Sequence, residues 1–139
     1  MSENHANHLN GASWAAKSRG GDLLSLRRDP ISHDVSGMIL RVSGEVDLST
    51  ASPLDEELTA LEQELPPHGH LVLDLTEVTF LASAGLSVLI KHGQRCRDAG
   101  RDLRIASGNR TVARALLITG LTENLDVFDT LDSALETIG

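Results

Sequence analysis

Between residues 50 and 75 the hydrophobic period of the chain changes, and that change restricts the fold more than any other feature. In "STASPLDEELTALEQELPP" the leucines Leu54, Leu58, Leu61 and Leu65 recur at i, i+4, i+7 and i+11, one face of a helix. Ser52 before Pro53, with acids at 55 to 57, reads as a cap and a dipole-matched first turn, and Pro66-Pro67 ends the helix. Directly after comes "LVLDL" (71–75), a short apolar run of the kind that forms a strand buried on both faces, often a parallel one. A helix with one apolar face beside a strand with two requires layers, with helices packed on a sheet.

The rest of the chain extends this alternation. "DLLSLRR" (22–28) and "GMILRVSG" (37–44) read as an antiparallel pair of strands across the turn-forming "DPISHDVSG". A helix is expected from about Ser83 to Ala99, with Leu86, Leu89, Ile90 and Cys96 as its inner face and Gly100 as its stop. "DLRIAS" (102–107) reads as a strand, "NRTVARALLITG" (109–120) as a helix and "LDVF" (125–128) as a short strand. The last helix is Leu131 to Ile138, capped by Thr130. The expected architecture is an α/β sandwich, a small mixed β-sheet of four to five strands covered by about four α-helices. At 139 residues this is one domain. Residues 1–20, rich in Ser, Asn, His, Gly and Ala, read as a disordered tail in which Trp14 is solvated, and 21–139 as the folded domain.

Composition then narrows the function. The formal net charge is −8, and residues 1–37 hold four basic and four acidic groups, so the whole excess falls on the folded part. An acidic surface argues against nucleic acid and anionic membrane as partners, since both demand a basic footprint, and favours a protein partner with a basic face. With only Trp14, Phe80 and Phe128 as aromatics, stacking on bases has no material to work with. Cys96 is the single cysteine, which excludes an internal disulfide. The most apolar window, Thr79 to Ile90, is too short to span a bilayer, and the N-terminus has neither the charged nor the apolar region of a signal peptide, so a cytoplasmic location is expected.

One hydroxyl stands out chemically. In "FLASAGL" (80–86) Ser83 lies between two alanines and before Gly85, where a strand's C-terminal end meets a helix's N-terminal end. As a nucleophile it would need an adjacent base, and its surroundings are not the G-x-S-x-G elbow. "HGH" (68–70) supplies two imidazoles without a matching ligand cluster, and no Gly-rich loop has a phosphate-cradling pattern. No catalytic residue, metal or cofactor is therefore expected. Ser83 reads as an N-cap, worth about 1 kcal/mol. Gly85 sacrifices about 1 kcal/mol of helix propensity, and with the small Ala84 it reads as clearance that lets a partner approach the free helix-end amides.

"LRVSGEVDLSTASPL" (40–54) together with "LVLDLTEVTFLASAGLSVLI" (71–90) resembles the STAS domain of bacterial anti-sigma factor antagonists, a likeness covering about residues 22–138. The resemblance implies partner switching. The unphosphorylated antagonist binds an anti-sigma factor, often a serine kinase, and frees the sigma factor; the kinase phosphorylates the serine matching Ser83, and a metal-dependent serine phosphatase reverses this. It also implies a partner-binding site at Asp47, Ala82, Ser83, Ala84, Gly85 and Leu86. From the residues alone Asp47 reads equally well as a turn acid closing its strand. The pattern is broken at Ala82, where the family usually has Asp; that departure leaves room for a second role, a STAS scaffold or small-ligand sensor without phosphorylation.

Overall fold

The computed structural model describes residues 13–17, 23–118, 120 and 125–138. The elements follow in the order β1 (Ser13–Lys17), β2 (Leu23–Pro30), β3 (Gly37–Val46), α1 (Ala51–Glu64), β4 (His70–Leu81), α2 (Ser83–Asp98), β5 (Asp102–Ala106), α3 (Arg110–Ile118), β6 (Asp126–Phe128) and α4 (Leu131–Glu136). The strands form one sheet in chain order, β1-β2-β3-β4-β5-β6, with β1–β2 and β2–β3 antiparallel and every later pair parallel. β2 to β6 and the four helices are the expected mixed sandwich. β1 is a sixth strand within the stretch read as tail: Ser13 to Lys17 pair with Arg27 to Leu23. An edge strand is held by backbone hydrogen bonds that composition does not report. Residues 1–12 and 18–20 of the expected tail lie outside the described residues.

The three parallel crossovers step the same way across the sheet, so with the usual handedness their helices share a face. Accordingly Leu54, Leu58 and Leu61 of α1, Leu89 of α2 and Leu116 of α3 are buried in one cluster with Leu26, Leu40, Leu71, Leu73 and Ile105 of the sheet. The alternate strand residues Ile39, Val72 and Ala106 face the other way and meet Ala134 of α4. Asp74, the one charge in "LVLDL", belongs to that second face. It is buried but paired: Arg41 Nη1 donates to it at 3.1 Å, and Arg41 Nε donates to Asp29 on β2 at 2.6 Å. A buried carboxylate with such partners is tolerated where a lone one is not.

β4 runs six residues past the apolar run that announced it. Beyond Asp74 it has no pairing with β5 and continues beside β3 alone, as a two-stranded ribbon that ends at Val46 and Leu81. The ribbon is irregular, with register shifts at Arg41/Ser43 and Gly44/Glu45, and Gly44 has φ 105°, a conformation open to glycine and costly for other residues. Through this ribbon the β3–α1 loop and the start of α2 come to the same end of the molecule.

Candidate functional site

At that end the two sequence motifs meet. Val46 pairs with Leu81 in register, and the Ala82 N–H donates to the Val46 carbonyl at 2.9 Å. Asp47 and Ser83 are each the next residue along. The Asp47 carboxylate organises its own loop: Oδ1 accepts from the backbone N–H of Ser49 (2.9 Å) and of Thr50 (3.1 Å). The fully buried Thr50 hydroxyl donates to the Glu45 carbonyl at 2.8 Å and accepts from the Asp47 N–H at 2.9 Å. Asp47 is thus a turn acid that leads into α1. The α1 cap position is Thr50, with no side-chain cap bond; Ser52 lies inside the first turn, and none of the acids at 55 to 57 reaches it.

Ser83 is not the N-cap of α2. Ala82 holds that position with extended backbone (φ −87°, ψ 172°) and no side chain able to accept a hydrogen bond, and Ser83 is the first helical residue, exposed to solvent. The N–H groups of Gly85 and Leu86 turn back to the Ala82 carbonyl at 2.9 and 3.1 Å. Those of Ser83 and Ala84 come before them, in the part of a helix that has no internal acceptors. The departure from the family pattern thus falls on the cap itself, where Asp would accept from this turn and Ala cannot.

Gly85 also has a different role from the one read in the sequence. It is buried, and a Cβ there would lie 2.6 Å from Val46 Cγ1 and 2.7 Å from Leu81 Cδ1. The glycine lets the first turn of α2 sit on the protein's own ribbon; the close approach is internal. Ala84 and Leu86 are half-buried and pack against the main core. Of the six expected site residues, Ser83 is exposed, Asp47 and Ala82 are half-buried beside it, and Ala84, Gly85 and Leu86 form the seat of the helix.

The structure adds two residues to this end. Leu48, directly after Asp47, is 71% exposed, and Phe80, three residues before Ser83, is 48% exposed. Leu48 is an apolar residue in an otherwise polar loop, and Phe80 is one of only three aromatics in the chain; those signals were available in the sequence.

The inner face of α2 also differs from expectation. Ile90 is 43% exposed, while His92 is completely buried against α1. Its Nδ1 is hydrogen-bonded to Glu62 Oε2, and its Nε2 to Asp55 Oδ1 at 2.5 Å. Lys91 Nζ donates to Asp55 Oδ2 at 2.7 Å and Arg95 Nε to Glu62 Oε1 at 2.9 Å. Burial raises the Asp55 pKa, but the hydrogen bonds from Lys91 and His92 outweigh it and leave the carboxyl below its ordinary value. Burial, with the Glu62 charge beside it, pushes the Cys96 thiol up to about 12, so this thiol is a poor nucleophile. His70 opens β4, and its Nδ1 is bonded to Asp102 at 2.8 Å. Among the described residues no group of three His, Cys, Asp or Glu is placed to hold a metal ion, and no helix is long and apolar enough to cross a membrane.

The fold is a single mixed sheet with helices on both faces, and it carries an exposed serine on the first turn of α2 where β4 ends. The STAS domain model matches residues 28–134, and the chain belongs to that family. It is 30% identical over 105 residues to the anti-sigma-F factor antagonist RsfA of Mycobacterium tuberculosis, covering 76% of this chain and 82% of that one. To RsfB of the same organism, also an anti-sigma-F factor antagonist, it is 33% identical over 97 residues, 70% of this chain and 77% of that one. The crystal structure of an anti-sigma factor antagonist from Mycobacterium paratuberculosis superposes with a TM-score of 0.68 at 27% identity, covering 88% of this chain and 98% of the other.

Proposed function

We infer that this protein is a cytoplasmic anti-sigma factor antagonist, a binding protein and not an enzyme. It docks on an anti-sigma factor with the end that carries Ser83 and so releases the sigma factor. The observation that carries this reading is the exposed Ser83 at the start of α2, with the exposed Leu48 and Phe80 on the two chain segments that flank it. The names of its relatives RsfA and RsfB support the same role. Control is by phosphorylation of Ser83 by the anti-sigma factor acting as a serine kinase, reversed by a serine phosphatase. A phosphate there adds a charge of about −1.5 to −2 beside helix-end amides that can receive it, so the fold tolerates it. A partner packed over the same spot has to desolvate the dianion, and about 3 to 4 kcal/mol of lost affinity is roughly a hundred- to thousandfold.

The test compares wild type, Ser83→Asp and Ser83→Ala in pull-downs and in titration calorimetry against the captured anti-sigma factor. Ser83→Asp is expected to bind roughly a hundredfold more weakly, and Ser83→Ala to bind like the unphosphorylated protein. Incubation with that partner and ATP, followed by mass spectrometry, is expected to place phosphate on Ser83 and to find none in Ser83→Ala. The uncapped Ala82 favours one second reading, a STAS scaffold or small-ligand sensor that is never phosphorylated. Undiminished binding by Ser83→Asp together with an unmodified Ser83 would establish that reading instead.

A further inference from the structure

His92 is fully buried between two carboxylates of α1, in an arrangement that restricts its protonation state. All four carboxylate oxygens are occupied: Asp55 by Lys91 and the ring Nε2, Glu62 by Arg95 and the ring Nδ1, with Cys96 Sγ also 3.8 Å from Glu62 Oε2. Lys91 and Arg95 donate to these two acids, and a carboxylate only accepts hydrogen bonds. A neutral imidazole has one N–H and would turn a lone pair toward the other carboxylate. Only the imidazolium donates on both sides. No other charged side chain is hydrogen-bonded to the ring among the described residues, and β4 and β5 contribute the apolar Leu71, Leu73, Leu103 and Ile105 to the core beneath α1 and α2.

The place of this contact in the fold gives it a consequence. Asp55 and Glu62 are two turns apart on one face of α1, and α1 starts directly after the Asp47 turn; His92 is on the helix that Ser83 begins. At the site itself the same two segments are joined by the Ala82–Val46 hydrogen bond and by the seat of Gly85 on Val46. We propose that His92 is a positioning residue, an imidazolium clasp that bonds to a carboxylate through each ring nitrogen, fixes α1 against α2 and so sets the spacing of the Asp47 and Ser83 walls. As a device for partner binding the clasp rests on the reading of the Ser83 end given above. Its geometry does not.

The experiment examines the full chain by ¹⁵N NMR at neutral pH. The His92 ring is expected to show two bound protons with both nitrogens at imidazolium shifts, the signature of a ring that donates to both carboxylates. In His92→Gln, which cannot make that pair of bonds, the amides of Ser49, Thr50, Ser83 and Gly85 are expected to shift from their wild-type positions. A ring found as a single neutral tautomer overturns the proposal, as does a His92→Gln variant whose site amides keep their wild-type shifts. If His92→Gln does not fold, the ring readout decides alone. Neither readout uses a partner or a phosphate, so failure here leaves the Ser83→Asp comparison untouched, and failure of that comparison leaves the ring assignment standing.

Discussion

Ala82 and Gly85, three residues apart on the chain, act in opposite senses on the same turn. At the N-cap Ala82 accepts nothing through its side chain, so Ala82→Asp supplies a missing cap and adds negative charge at the positive helix end. The expected gain is about 1 kcal/mol, which for a domain of this size is roughly 3–5 °C in Tm; scanning calorimetry of the variant measures it. Gly85→Ala is expected to go the other way. Helix propensity would favour alanine by about 1 kcal/mol. The new methyl, however, would lie 2.6 Å from Val46 Cγ1 in a packed interface, and overpacking of that kind costs about 1–3 kcal/mol. A lower urea midpoint with an unchanged slope is the expected result, and a higher midpoint would show that Val46 can move aside.

At the scale of elements, legibility depended on how local the cause was. The leucine stripe of α1 was readable because Leu54, Leu58 and Leu61 all answer to the same buried face, and Thr130 was readable as a cap because its Oγ1 accepts from the Ser133 N–H three residues on. Gly85 misled because its reason lies in Val46, 39 positions earlier. The ion network of His92 joins residues 30 and 37 apart in sequence, and no period announces such pairs. That network has a consequence in acid. The Asp55 carboxyl lies below its ordinary value, and a depressed carboxylate stabilises above its unfolded pKa, about 4, and is lost as the pH falls through the folded value. Urea midpoints are therefore expected to fall below about pH 4, and to fall less steeply in Asp55→Asn, so that the two curves converge at the acid end.

The whole molecule is asymmetric about its sheet. Among the described residues the cluster under α1, α2 and α3 holds 23 buried members and the one under α4 holds four. Since stability follows apolar area removed from water, the two faces do not open with equal ease. α4 is six residues long, too short to persist without its packing, and its main anchors are Ala134 with the half-buried Leu131, Leu135 and Ile138. Its amides are expected to exchange with solvent at least about tenfold faster than those of Leu71 to Leu75, through local opening that leaves the rest intact. The Ser83 end belongs to the other face: Gly85 is seated on Val46 and Leu81, both members of the larger cluster. Amides of α2 beyond its first turn are accordingly expected to exchange only with global unfolding, and to show the same denaturant dependence as β4. Native-state hydrogen exchange measures both classes at once. Exchange of α2 in step with α4 would mean that the Ser83 end is itself a locally unfolding unit, and that the docking proposed for it must include an ordering cost that a preformed surface avoids.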